Sequence, residues 1–390
     1  MRIRLLTYST KPRGGVVHAL RLAEELSARG HEVELWTLSV GGGRLFREPE
    51  VRVVAVPVER RDDEGVPARV ARYADAMAAA LRDAGPADVH HAEDCLSARA
   101  LLLLRAEGLV PAIVRTIHHV DVFEERFLEE CQRASIQDVD LPLCVSRFWA
   151  DRLRTEFGVQ AEVVPNGVDA GRFAGCPLGR AEAGAAMGWG DRPAVLAVGG
   201  VEPRKGSRVL LEAFARARGR LGPAPLLVVA GGATLFDYRE YREAWRDDAG
   251  RLGLRVSDGR EVPADADVAV LGLIPDEEMP VLYRAADALA FPSTREGFGL
   301  VVLEAMAAGV PVVASDLPVL QEHLADGVDC LMTPVGDSGP LAAALVRAVR
   351  DEPLRASLAA GGAATVARYT WARSAETHEG VYGRFLAARG

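Results

Sequence analysis

Two glutamates with seven residues between them, Glu296 and Glu304, frame a glycine turn and an apolar helix in the stretch EGFGLVVLE. The backbone N–H groups of Gly297, Phe298, Gly299 and Leu300 fall where that helix begins. Unpaired donors and the helix dipole favour an anion there. From Leu300 to Ala308 the sequence reads LVVLEAMAA, and Glu304 is its only polar side chain. Burying a carboxylate costs on the order of several kcal/mol unless something hydrogen-bonds it. The pattern therefore asks for a ligand that carries both hydroxyls and phosphate.

Other segments could share that chemistry. The run STKPRGG puts Gly14 and Gly15 between an apolar run and a helical pattern, where backbone can approach a phosphate or sugar closely. A tight connection with no ligand is an equally good reading of such a pair. His118, in TIHHVD, follows another apolar run, where a histidine can meet a sugar hydroxyl or be satisfied by local backbone. The segment VGGVEPRKGS carries Arg204 and Lys205 into a further helix, and Lys205 is placed to put a point charge beside a leaving diphosphate. Of 46 basic residues only Lys11 and Lys205 are lysines, so the composition favours arginine almost wherever a cation is wanted. A lysine that persists marks either a need for a compact ammonium or a solvated surface position. Two acidic strings, Asp138-Val-Asp140 and Asp265-Ala-Asp267, precede their apolar runs. They read as turn carboxylates, and no metal site is expected.

These segments need a scaffold. The 390 residues, about half of them apolar, suffice for two domains with real cores. Short apolar runs alternate with amphipathic stretches throughout, the pattern of parallel α/β sheets. Strands are expected at 3–8, 33–37, 51–56, 88–91, 113–116 and 141–145, then at 194–199, 225–230, 268–271, 288–291, 310–314 and 330–332. Helices are expected at 18–28 and 68–82. A Gly-, Pro- and Ala-rich stretch from Pro165 to Pro193 reads as the connection. This divides the chain into 1–168, 169–370 and a helical tail at 371–390 that packs back across the domain boundary. In open parallel sheets ligands bind beyond the carboxyl ends of the strands, where every segment named above except the acidic strings falls.

Charge and cysteine usage exclude other classes. The net charge of −9 is spread evenly, with 22 basic and 26 acidic residues up to position 165 and 24 and 29 after it. Neither half has the basic excess of a nucleic-acid binder. No run is long and apolar enough to span a membrane, and MRIRLLTYST turns polar too soon for a signal peptide. The five cysteines are scattered and never in CxxC spacing, which suits reduced thiols in a cytoplasm.

Taken in order, Gly14-Gly15, His118, Pro165-Asn-Gly-Val-Asp169, Arg204-Lys205-Gly206 and the Glu-x7-Glu pair resemble the retaining glycosyltransferases of GT-B family 4 along the whole chain. The resemblance implies two Rossmann-like doubly wound domains facing across a cleft, with the donor held mainly by the second. It implies a nucleotide-diphosphate sugar, UDP- or GDP-linked, an unidentified hydroxyl acceptor, and no cofactor or bound metal. By the same resemblance Glu304 accepts the ribose hydroxyls and Glu296 holds hydroxyls of the transferred sugar. The backbone from Gly297 to Leu300 touches sugar and phosphates. Lys205 neutralises the leaving diphosphate, Gly14 and Gly15 approach it, and His118 orients the donor sugar. The family pattern has an Arg directly after the glycine of the turn before Lys205. Here that residue is Gly200, and Arg204 either replaces it or points to solvent. The competing readings are an epimerase or glycoside phosphorylase on the same plan, and a catalytically silent nucleotide-sugar binder.

Overall fold

The computed structural model describes residues 1–61, 63–232 and 238–389. The chain divides into two compact units, Met1–Gly167 together with Trp371–Gly390, and Val168–Thr370. Each is a seven-stranded sheet whose strand pairs are all parallel.

In the first unit the strands are β1 Arg2–Thr7, β2 Glu32–Val40, β3 Arg52–Val58, β4 Val89–Ala92, β5 Val114–Ile117, β6 Leu141–Cys144 and β7 Glu162–Val163, in the order β3-β2-β1-β4-β5-β6-β7. The second unit has β8 Ala194–Val198, β9 Leu226–Ala230, β10 Val256–Asp258, β11 Val268–Gly272, β12 Ala288–Phe291, β13 Val312–Ser315 and β14 Leu331–Thr333. Their order is β10-β11-β9-β8-β12-β13-β14. Inner strands such as β4, β9 and β13 are buried along their full length, as strands covered on both faces must be.

Strand order decides where ligands can sit. From β1 the chain builds outward to β2 and β3, then returns to place β4 on the other side of β1. From β8 it builds toward β9, β11 and β10, then returns to place β12 on the other side of β8. The β1/β4 and β8/β12 boundaries are thus the switch points where strand-end loops part and leave a crevice. Gly14 follows β1 and His118 follows β5, next to β4. Lys205 follows β8 and Glu296 follows β12.

Three features differ from the sequence expectations. Strands β7 and β10 have two and three residues and carry no apolar run, so nothing marked them. The stretch from 165 to 193 is not a bare connection: it holds the helices Ala170–Ala174 and Arg180–Ala186, and Phe173 is buried against Tyr283. The first helix starts at Gly14 rather than His18.

The last helix, Trp371–Ala387, belongs to the first unit. It packs on the helix Gly14–Ala28, and its fully buried Tyr382 bonds through its hydroxyl to His91 Nδ1 at 2.6 Å. Removing that hydroxyl strands a buried imidazole nitrogen. Tyr382→Phe is expected to cost about 1–3 kcal/mol of unfolding free energy, and an unchanged calorimetric midpoint would contradict it.

Candidate functional site

In the second unit, the loops after β8 and β12 meet on one carboxylate oxygen. Glu296 Oε1 accepts from Lys205 Nζ at 2.7 Å, Ser293 Oγ at 2.9 Å and Arg204 Nη1 at 3.0 Å. Arg204 also donates to the Arg295 carbonyl, and Thr294 N donates to the Arg204 carbonyl at 2.8 Å, so the two loops are stapled twice more. Arg204 therefore turns inward onto Glu296, away from the solvent-directed alternative. Its side chain stays 31% exposed, whereas that of Lys205 is 15% exposed.

Glycines let Lys205 lie there. A Cβ on Gly199 would come 2.7 Å from Lys205 Cε, and a Cβ on Gly206 would come 2.1 Å from the Pro292 carbonyl oxygen. Gly206 also has φ +64°, which L side chains rarely adopt. Gly200, where the family pattern has an arginine, has φ +78°, and a Cβ there would lie 3.2 Å from the Gly232 carbonyl oxygen. This turn is built for glycine. The ammonium of Lys205 sits 5.0 Å from the Phe291 ring centroid.

The electrostatics follow from this packing. Burial would raise the Glu296 carboxyl, but Lys205 and Arg204 outweigh burial and bring it down to about 2. Burial lowers the Lys205 ammonium, against the pull of Glu296. The direction on Glu296, which has three donors, describes the pair best, and it holds as carboxylate and ammonium.

The glycine turn leads into the helix Leu300–Ala307, with Gly299 at φ +98° as its first flanking residue and no side chain capping it. Phe298 anchors the turn: its buried ring stacks on His323 at 4.8 Å and meets Tyr369 edge-on at 5.6 Å. Glu304 departs from the sequence expectation. It is half-buried, and its Oε2 accepts from the Tyr283 hydroxyl at 2.6 Å. Tyr283 comes from another helix, Met279–Arg284, so a protein group already meets part of the need that sequence assigned to a ligand.

In the first unit, Gly14 and Gly15 open the helix Gly14–Ala28 with no side-chain cap. Neither has a positive φ, and a Cβ on Gly14 would meet nothing within 4 Å. A Cβ on Gly15 would make ordinary contact with His118, 3.4 Å from its Cδ2. Neither backbone strain nor crowding requires glycine at these two positions. His118 Nε2 lies 3.0 Å from Glu93 Oε2, and burial, then Arg115, push the imidazole down to about 3.

Glu93, His18 and Ser293 escaped the sequence analysis, as did Tyr283. The signal for Glu93 was its position directly after the strand segment Val89–Ala92. His18, Glu93 and His118 bring ligand-capable atoms within 4.8 Å of one another, the one such grouping among the described residues. The two acidic strings do otherwise: Asp140 accepts from Ile113 N and Arg105, and Asp267 from Arg255 N. Lys11 is exposed.

The depressed Glu296 carboxyl has a pH signature. Because its folded value of about 2 lies below the usual 4.5, its stabilisation is complete above about pH 4.5 and is lost as pH falls toward 2. The unfolding free-energy difference between wild type and Glu296→Gln should narrow over that window, by at most about 3 kcal/mol. A pH-independent difference would show that Glu296 is not held ionised by Lys205 and Arg204.

Comparisons with known proteins bear on the family and the fold. The family described as "Glycosyltransferase Family 4" matches residues 12–172, and that described as "Glycosyl transferases group 1" matches residues 185–364. The chain is 32% identical to a phosphatidyl-myo-inositol mannosyltransferase of Mycolicibacterium smegmatis, covering 95% of this chain and 90% of that protein. It is 30% identical to a D-inositol 3-phosphate glycosyltransferase of Actinosynnema mirum, covering 98% and 97%. Among solved structures, sucrose-phosphate synthase from Thermosynechococcus elongatus superposes with a TM-score of 0.81 at 23% identity, covering 99% of both chains. Anabaena HepE in complex with UDP-glucose superposes at 0.76 and 20% identity, covering both chains fully. Among the described residues no helix is long and apolar enough to cross a membrane. The chain belongs to the family 4 glycosyltransferases of GT-B fold, and it is a glycosyltransferase of the kind that works from nucleotide-sugar donors.

Proposed function

We propose that this enzyme moves a hexosyl group from a UDP- or GDP-linked donor to a hydroxyl acceptor with retention at the anomeric carbon and without a bound metal. The observation that carries this reading is the meeting of Lys205 and Arg204 on Glu296 at the β8/β12 switch point. Two cations and a carboxylate in one crevice suit a ligand with phosphate at one end and hydroxyls at the other.

In the reaction, the bond from the anomeric carbon to the diphosphate oxygen breaks and its electron pair goes to the diphosphate. Lys205 stabilises that growing charge, with Arg204 beside it. The acceptor oxygen attacks the face the diphosphate leaves, and its proton passes to a phosphate oxygen. Glu296 takes hydroxyls of the sugar, and Glu304 takes the ribose hydroxyls beside its Tyr283 partner. The Gly297–Leu300 backbone and Gly14-Gly15 approach phosphate, and His118 meets the sugar. The absence of a metal from the reaction places the whole neutralising role on these side chains. The names of the two inositol-linked relatives make a phosphorylated polyol the first acceptor class to try, and a cytoplasmic setting suits the five free thiols.

The test is nucleotide release from a panel of UDP- and GDP-sugars, with and without an inositol phosphate, in the presence of EDTA. Binding without release for every pair would overturn the enzymatic reading, and loss of turnover with EDTA would overturn metal independence. Lys205→Ala should lower kcat by about 10²-fold with the donor still bound, since the charge it meets grows in the transition state. Glu304→Gln keeps an acceptor for Tyr283, so it should weaken nucleotide affinity while leaving the melting temperature in place. Calorimetric titration showing unchanged affinity would remove Glu304 from the ribose site.

A further inference from the structure

Behind His118 stands a group of side chains that the reaction above leaves unused. Glu93 follows β4 directly and its side chain is fully enclosed. Its Oε2 lies 3.0 Å from His118 Nε2 and 3.6 Å from His18 Nε2, and its Oε1 lies 3.6 Å from His91 Nε2. Only the first of these is a hydrogen bond.

The neighbouring rings are held by partners of their own. His18 Nδ1 is 2.8 Å from Asn166 Oδ1, a carbonyl oxygen that can only accept, so the His18 proton is on Nδ1. His18 Nε2 is then a bare lone pair, buried and with no hydrogen-bond partner among the described residues. His91 is engaged at both nitrogens, by the Tyr382 hydroxyl at 2.6 Å and Thr116 Oγ1 at 2.7 Å. His18 also meets His118, Trp371 and His378 edge-on, at 5.0, 5.6 and 5.8 Å between centroids. None of these rings can turn to serve Glu93 without giving up a bond.

The consequence falls on His118. An ionised carboxylate only accepts, so His118 must donate to it from Nε2. The imidazole is neutral, with a single proton, and that proton is committed to Glu93. Nδ1 is left as a lone pair, and no group among the described residues hydrogen-bonds it.

We propose that Glu93 is a positioning residue that holds His118 as its Nε2–H tautomer, so that Nδ1 faces the donor sugar as a hydrogen-bond acceptor and selects a hydroxyl there. This rests on the reading that His118 meets the sugar. It makes the recognition directional: a sugar hydroxyl satisfies Nδ1, and a fluorine or a hydrogen in its place does not. The charged and titratable groups facing Glu93 are His18, His91, His118, Arg115 and Asp94, with Tyr382 on the last helix, and His378 packs on His18 and His91. Burial raises the Glu93 carboxyl to about 7, so it is ionised at pH 8.

The test is a long-range ¹H–¹⁵N spectrum of histidine-labelled full-length protein at pH 8, with His118→Gln to assign the ring. The expected result is a protonated Nε2 and an unprotonated Nδ1. In Glu93→Gln the carboxamide can offer an N–H, so the His118 tautomer should shift and kcat should fall by about tenfold or more, with nucleotide affinity held within about threefold. A matching loss is expected in wild type when the contacted sugar hydroxyl of the donor is replaced by fluorine. The proposal fails if wild-type His118 carries its proton on Nδ1, or if Glu93→Gln leaves both tautomer and kcat unchanged. It also fails if the purified protein holds a stoichiometric divalent metal that Glu93→Gln releases, because a cation would take the Nε2 lone pair. The wild-type spectrum decides the tautomer even where Glu93→Gln does not fold. An Nε2–H ring in a protein that releases no nucleotide would uphold the tautomer and overturn the transfer reaction instead.

Discussion

The second unit is organised around one oxygen atom. Glu296 Oε1 collects an ammonium, a guanidinium and a hydroxyl, from loops that follow strands separated by more than eighty residues. Strand order makes this meeting possible, because β8 and β12 are neighbours with their loops at the same end. Removing one partner of such a group would leave an uncompensated charge in a crevice, which costs far more than the pair gains. The ion pair thus keeps cations at the crevice while no ligand neutralises them. In the proposed reaction a diphosphate takes over the carboxylate's role for Lys205 without any new cation having to be brought in.

The first unit answers the same topological situation with different chemistry. At the β1/β4 switch point the enclosed carboxylate, Glu93, has only histidines within ion-pair distance among the described residues, and burial keeps them neutral. Where Glu296 is drawn down to about 2, Glu93 is pushed up to about 7. The contrast is one of environment, since both are glutamates at strand ends and both are buried. One is paired with two cations, the other with a neutral ring.

Much of this was legible in the sequence, and the limits have physical reasons. Fully buried parallel strands are short apolar runs, so the inner strands could be placed, whereas edge strands as short as β7 and β10 bury too little to leave a mark. Lys205, Glu296 and the glycine turn were legible because each lies in the loop after a strand, in a compact motif. Glu93 was not, because His18 and His118 come from separate segments and only the fold brings them to it. Glu304 was half legible. Its isolation in an apolar helix was visible, but the tyrosine that answers it comes from a different helix 21 residues away.

The choice of lysine at position 205 shows how far composition yields to packing. In a chain that uses arginine for nearly every cation, an arginine here would have to thread a branched planar head along a path walled by Gly199, the Gly206 turn and the Phe291 ring. The lysine stem already occupies the space where a Cβ on Gly199 would lie, 2.7 Å from its Cε. The guanidinium role is given to Arg204 instead, one residue earlier and twice as exposed, where a planar fork can reach both the Arg295 carbonyl and Glu296. The two adjacent cations are therefore not duplicates. One is a compact charge set deep by glycines, and the other is a fork that ties the loops together.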